Sequence, residues 1–230
     1  MQIIIDRKMP EKAKETLAYY GEVLEFATSG ITYEAISGHP DIFFFLSSSH
    51  LIASPNIPAE YFRVLDEKKI SYIKGTSPVG MKYPDSARYN ASVSRNFLIH
   101  RLDITERKIL EYSKEKQTIH VGQGYCRCSL LPLKTDSFIT SDEGIYKKLK
   151  ETGLEVLYVS SESVVLPGFR HGFFGGACGV MDNTVFLCGS LKYHPQGDEI
   201  RSFLNKNGYE TLELYDGPLL DGGSILFTEE

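Results

Sequence analysis

Cysteine is scarce: 4 in 230 residues, namely Cys126, Cys128, Cys178 and Cys188, at spacings that match no disulfide framework. A reducing compartment is expected, and the fold must be held by a core and not by cross-links. Long hydrophobic runs are missing as well. No stretch approaches the ~20 apolar residues that a membrane-spanning helix needs. The opening MQIIIDRKMPEK has only a short apolar run beside acidic and basic neighbours, without the h-region of a signal peptide, so a cytoplasmic protein is expected. Positive charge is not in excess, with 25 Lys and Arg against 30 Asp and Glu and a net charge of −5. A chain without a basic field is poorly suited to nucleic acid or anionic membrane. The expected partner is therefore a small polar metabolite, with no nucleic acid and no membrane.

What is present is a recurring pattern. Five segments show helical spacing of apolar and charged residues: 10–20, 58–69, 104–115, 142–152 and 198–207. Proline opens the first, and Gly21, Gly153 and Gly208 follow three of them, where a left-handed cap costs glycine little. A β-type run follows each helix (23–26, 71–74, 118–121, 154–159, 209–214), and another precedes each (2–6, 50–54, 96–100, 137–140, 184–189). Four of the preceding runs have a further strand-like run upstream, at 41–46, 89–94, 126–133 and 177–181. The first unit lacks one, and the spare run at 224–227 supplies it from the other end of the chain. The period, roughly 35 to 50 residues, is that of closed or stacked arrays. Joining the chain ends would pair backbone groups that otherwise form exposed edges. The expectation is an α/β fold, a five-bladed pseudo-symmetric α/β propeller of strand-strand-helix-strand units whose ring is closed by the N- and C-terminal segments. A doubly wound sheet with some hairpins mistaken for units is the competing arrangement.

Five such units with circular closure resemble the pentein fold of the guanidine-modifying superfamily, which includes dimethylarginine dimethylaminohydrolases, arginine deiminases and amidinotransferases. The resemblance covers nearly the whole chain and implies a single pentein-like domain over residues 1–230. It is carried locally by Pro40-Asp41-Ile42-Phe43-Phe44-Phe45 and by Leu220-Asp221-Gly222-Gly223. The resemblance implies a C-terminal cysteine nucleophile, a proton-transferring histidine and carboxylates that hold a cation. This sequence departs from that set. Leu226 falls where the cysteine is expected, the histidine position falls within Gly124-Tyr125-Cys126, and Pro40 replaces one member of the acidic pair. Standard guanidine hydrolysis is not expected.

In an array of equivalent units the loops before each first strand gather at one end. Those loops contain His39, Asp41, Asp85, Arg88, Tyr125, Arg127, Arg170, His171 and Asp221. Each of these residues also fits a solvated turn. His39, Asp85, Arg88, Tyr125, Arg127, Arg170 and Asp221 are candidate ligand-binding residues, and Asp41, His171 and Cys178 are candidate catalytic ones. A Cys178–His171 pair would move the nucleophile to a neighbouring unit, although a lone cysteine in an apolar strand also fits inert core. Arg88, Arg127 and Arg170, if they converge, suit an anion, while pairing with Asp41, Asp85 and Asp221 is the structural alternative. The 13 residues 167–179 hold 5 glycines and 3 aromatics and read as a flexible aromatic-bearing lid. Cys126-Arg127-Cys128, taken as strand, has no second pair at ligand spacing, so no metal and no cofactor is expected. Two functions fit these features. One is a degenerate pentein that binds a small polar metabolite without turnover. The other is a hydrolase or amidinotransferase-like enzyme with a relocated catalytic set.

Overall fold

A computed structural model describes residues 1–228. Their strands fall into five three-stranded sheets and one two-stranded pair, and the five share one order. In each, a central strand pairs antiparallel with one neighbour and parallel with the other. The central strands are Gln2–Asp6, Leu51–Ala53, Phe97–His100, Ser137–Thr140 and Thr184–Leu187. Their parallel partners are Glu22–Phe26, Tyr72–Lys74, Gln117–His120, Glu155–Tyr158 and Glu210–Glu213. A parallel pair needs a crossover, and each crossover here is a helix: Glu11–Leu17, Ala59–Glu67, Arg107–Tyr112, Glu143–Glu151 and Gly197–Lys206.

The antiparallel partners of the later four sheets are Phe44–Leu46, Ser92–Val93, Leu130–Pro132 and Cys178–Met181, each just upstream of its central strand. In the first sheet that partner is Leu226–Thr228, so the C-terminal strand pairs with the N-terminal one, Ile4 opposite Leu226. The edge that the first unit lacks is thus covered by the last residues of the chain. The strands form separate sheets, which rules out one doubly wound sheet among the described residues. The two-stranded pair, Val164–Val165 with Leu219–Leu220, lies outside the five-unit pattern.

Helical periodicity explains the packing. Helices bury pairs four residues apart, Ala13 and Leu17, Tyr61 and Leu65, Ile145 and Leu149, Ile200 and Leu204, while their other faces remain wet. Central strands are apolar on both faces, as in Ile3, Ile4 and Ile5, because core lies on either side of them. Full burial of each such Leu or Ile is worth about 1.5–3 kcal/mol. Asp142 caps its helix by accepting from the Ile145 N–H at 2.8 Å, and Glu106 caps another through the Lys108 N–H.

One class of expectation is corrected. The runs at 41–46, 89–94, 126–133 and 177–181 are not strands throughout. A helical turn sits before or within each: Pro40–Phe43, Asp85–Ala87, Cys126–Ser129 and Gly175–Ala177. Residues 40–43 are buried on all sides, so their apolar run carries no period to separate helix from strand. These turns decide where Asp41 and Cys128 point.

Candidate functional site

Asp6 ends the first central strand, His39 and Asp41 flank the start of the turn Pro40–Phe43, and Asp221 precedes the return of the chain. All four side chains are buried. His39 lies between two carboxylates, Nδ1 at 3.8 Å from Asp221 Oδ1 and Nε2 at 3.9 Å from Asp6 Oδ2. Its Nδ1 has no hydrogen-bond partner. The contrast with His100 is informative. That ring is also buried, but its Nδ1 meets Thr105 Oγ1 and its Nε2 meets the Gly124 carbonyl, both at 2.7 Å. His100 is a satisfied core histidine, and His39 is an unsatisfied one of the kind that calls for an explanation.

Close backbone packing holds this arrangement. Asp221 accepts from the Phe173 N–H at 2.9 Å and the Gly223 N–H at 3.1 Å. Gly223 has φ +66°, and a Cβ there would stand 2.2 Å from the His39 Cβ, so only glycine fits against the imidazole. Asp41 donates its N–H to the Gly223 carbonyl, and its carboxylate accepts from Ser224 Oγ at 2.6 Å and from the Cys128 thiol at 3.2 Å. Asn90 clamps the same point: its Nδ2 donates to Cys128 Sγ and to the Asp41 carbonyl, and its Oδ1 accepts from the Cys128 N–H, all at 3.1 Å.

Burial sets the electrostatics. It raises Asp221 from 3.8 to about 7, helped by the charges of Asp41 and Asp6 and opposed by the two backbone N–H groups. It raises Asp6 from 3.8 to about 6 against the pull of the Lys8 N–H, and it also raises Asp41. His39 is pushed down to about 3 by desolvation, which leaves a neutral ring at pH 7. Cys128 is pushed up by burial and by Asp41, away from thiolate.

Two cavities meet this cluster. The smaller, about 430 Å³, includes Asp6, Lys8, Tyr33, His39, Phe169 and Asp221 in its lining. The Tyr33 and Phe169 rings stand 5.9 Å apart at its edge. The larger, about 990 Å³, includes Asp41, Arg127 and Leu226 in its lining. Leu226, the residue expected at the nucleophile position, therefore presents an aliphatic wall, while Ser224 makes the contact with Asp41.

Of the candidates read from sequence, His39, Asp41 and Asp221 come together, and Arg127 lies close by. Arg127 is already engaged, donating to the Gly175 carbonyl at 2.8 Å and the Cys178 carbonyl at 3.1 Å. Tyr125 shares a 2.6 Å hydrogen bond with Ser86 and accepts a long one from the Tyr33 hydroxyl at 3.4 Å. Asp85 and Arg88 form an ion pair with each other, and exposed Arg170 pairs with Glu162. None of these three borders either cavity. The convergence of arginines is thus not found. His171 bonds only to the Gly172 carbonyl among hydrogen bonds of the described residues, and the Cys178 thiol donates to the Phe174 carbonyl at 3.1 Å. Cys178 is core, raised to about 12 by burial, and no hydrogen bond joins it to His171. From the segment 167–179, Pro167, Gly168 and Phe169 border the smaller cavity.

Asp6, Asn90, Cys128 and Ser224 were not among the candidates. Asp6 left one signal, a charge closing an otherwise apolar strand. Cys128 left one as well, its Cys-x-Cys spacing from Cys126, but the turn that aims its thiol looked like strand.

The chain is similar in structure to the agmatine deiminase of C. jejuni, with a TM-score of 0.58 and 11% identity over 92% of this chain and 86% of that one. It is also similar to a cysteine-to-serine mutant of the dimethylarginine dimethylaminohydrolase of Pseudomonas aeruginosa complexed with citrulline, at TM-score 0.55 and 8% identity over 92% and 91% of the two chains. A third likeness is to an amidinotransferase of the saxitoxin biosynthetic pathway from Microseira wollei, at TM-score 0.55 and 9% identity over 92% and 87%. All are pentein superfamily members, and the likeness shows a common fold. No curated protein matches the sequence. The family described as "Family of unknown function (DUF6873)" matches residues 4–226.

Proposed function

Because the chain belongs to this family of unknown function, we propose its role from the chemistry of its own site: a divergent pentein that binds a small polar metabolite through a cationic nitrogen, without turning it over. In this reading residues 1–230 act as one domain, with the five sheets standing round an axis as a closed, five-bladed pseudo-symmetric ring. The pairing of Leu226–Thr228 with Gln2–Asp6 supports closure.

The observation that carries the reading is a charge imbalance. Asp6, Asp41 and Asp221 are buried around His39; Lys8, the cation that lines the same cavity, is paired with Glu34, and Arg127, whose charge acts on Asp41, already serves two carbonyls. Taking a carboxylate out of water costs several kcal/mol, which neutral hydrogen-bond donors offset only in part. An ammonium or guanidinium group in the smaller cavity relieves that cost between Asp6 and Asp221, with the Tyr33 and Phe169 rings in the same lining. A volume of about 430 Å³ suits an amino-acid-sized to drug-sized molecule. An anion, which three converging arginines would have held, has no such seat: Arg88 and Arg170 are paired at the surface. Solved proteins of the same fold are named for guanidino compounds or amidino transfer, which agrees in charge with this reading.

A thermal-shift panel tests it. Agmatine, arginine and simple diamines are expected to raise the melting temperature, while matched carboxylates and phosphates leave it unchanged. Shifts confined to anions would refute the reading. The enzymatic alternative, a hydrolase or amidinotransferase with a relocated set, draws on the contact of the Cys128 thiol with Asp41. Burial opposes it by disfavouring the thiolate. Release of ammonia or urea from guanidino compounds, abolished by Cys128→Ser, would favour that alternative over binding alone.

A further inference from the structure

We propose that His39, Asp41 and Cys128 form a site for a divalent transition-metal ion of the zinc class. This goes beyond the cavity ligand, because Cys128 and Asp41 do not border the smaller cavity.

Geometry supplies the first support. One ligand atom from each of His39, Asp41 and Cys128 lies within 4.8 Å of the others. Cys128 Sγ is 3.2 Å and 3.3 Å from the Asp41 oxygens, and His39 Nδ1 is 3.8 Å from Asp221 Oδ1. With metal–sulfur bonds near 2.3 Å and metal–nitrogen or metal–oxygen bonds near 2.0–2.1 Å, neighbouring donors of a tetrahedral ion stand roughly 3.3–3.6 Å apart. The sulfur–oxygen pair is already close to that spacing, and the imidazole needs a shift of less than about 1.5 Å to meet it.

The second support is independent of the clustering. His39 Nδ1 is buried and has no partner, on the side of the ring that faces Asp221. Its other nitrogen faces the Asp6 carboxylate, the arrangement by which metal-binding histidines are oriented. The remaining donors are oriented in the same way. Asn90 Nδ2 donates to Cys128 Sγ and Ser224 Oγ to Asp41. A thiol and an imidazole among carboxylates select a zinc-class ion over calcium or magnesium, which take oxygen shells. The expectation of no metal came from reading Cys126 and Cys128 as a strand pair. The helical turn Cys126–Ser129 instead sends Cys128 to Asp41. As the metal–sulfur bond forms, the thiol proton leaves to solvent.

Cobalt(II) and zinc(II) titrations of chelator-stripped, full-length protein test the site. Cobalt is expected to give a thiolate charge-transfer band in the near ultraviolet with tetrahedral d–d bands, and zinc is expected to displace it. Cys128→Ser should abolish the charge-transfer band, His39→Ala should weaken binding at least tenfold, and Cys188→Ser should change neither. X-ray absorption of the zinc-loaded wild type, which does not depend on any variant folding, should show one sulfur among nitrogen and oxygen donors. A sulfur-free shell, or a charge-transfer band that survives in Cys128→Ser, overturns the proposal.

Discussion

Asparagine in place of Asp221 keeps the side chain's size and removes its ability to ionise. In the folded protein this carboxyl holds its proton to about 7, against 3.8 ordinarily, because burial and the neighbouring Asp41 disfavour the anion. Between those values the folded state binds a proton that the unfolded state has released, so stability falls as pH rises. At 1.36 kcal/mol for each tenfold step, the loss is on the order of 4 kcal/mol, complete once pH exceeds the folded value. The amide can accept from only one of the two N–H groups, Phe173 or Gly223, that Asp221 serves. Leaving the other unpaired costs roughly 1–3 kcal/mol at every pH. Asp221→Asn should therefore be less stable than wild type at pH 4 and equal or more stable at pH 8, with a crossing between. His39, pushed down to about 3, gives a pH dependence of opposite sign below about 6.5, but it is present in both proteins and largely cancels in the difference. Urea denaturation at half-unit pH intervals measures that difference. A gap that stays constant with pH, or widens in favour of wild type as pH rises, would refute the burial argument.

Other expectations follow from single contacts. Glu106 is buried and accepts from the Thr76 N–H, the Thr76 hydroxyl and the Ser77 N–H; burial alone would raise it, but these hydrogen bonds hold it below its ordinary value. Glu106→Ala should cost about 3 kcal/mol in urea denaturation near neutral pH, shrinking as pH falls through the glutamate range. Gly223→Ala drives a methyl into His39 and should cost more than about 2 kcal/mol, read as a lowered melting temperature. All 4 cysteines are buried and unpaired, so a thiol reagent should label them only on unfolding; rapid labelling of the native protein would contradict that burial.

Much of the fold was legible because strand and helix carry different periods. Gln2–Asp6 and Ser137–Thr140 have the bounds expected from composition alone. Helix ends were less so. The first helix stops at Leu17 with Ala18 as its cap although its pattern runs to Tyr20, since Tyr19 and Tyr20 donate only to carbonyls three residues back. The candidate site was half legible. His39, Asp41 and Asp221 stand beside glycine or proline in loops, where ionisable residues attract notice. Cys128 and Asn90 lay inside runs that resembled strands, and a buried helical turn of four residues has no period to reveal it. Arg88 pairs with Asp85, the structural alternative weighed for it, whereas the partner of Arg170 is Glu162, which charge in a loop did not reveal.

The central claim is that buried carboxylates await a cationic ligand, and its most direct test is the proton balance of binding. Calorimetry with agmatine at pH 6.5, in two buffers of different ionisation enthalpy, reports the protons released. With Asp6 raised to about 6 and Asp221 to about 7, cation binding should expel a substantial fraction of a proton and tighten as pH rises to 8. Asp6→Asn and Asp221→Asn should each reduce that release. Binding without proton release, or affinity that falls as pH rises, would contradict the account.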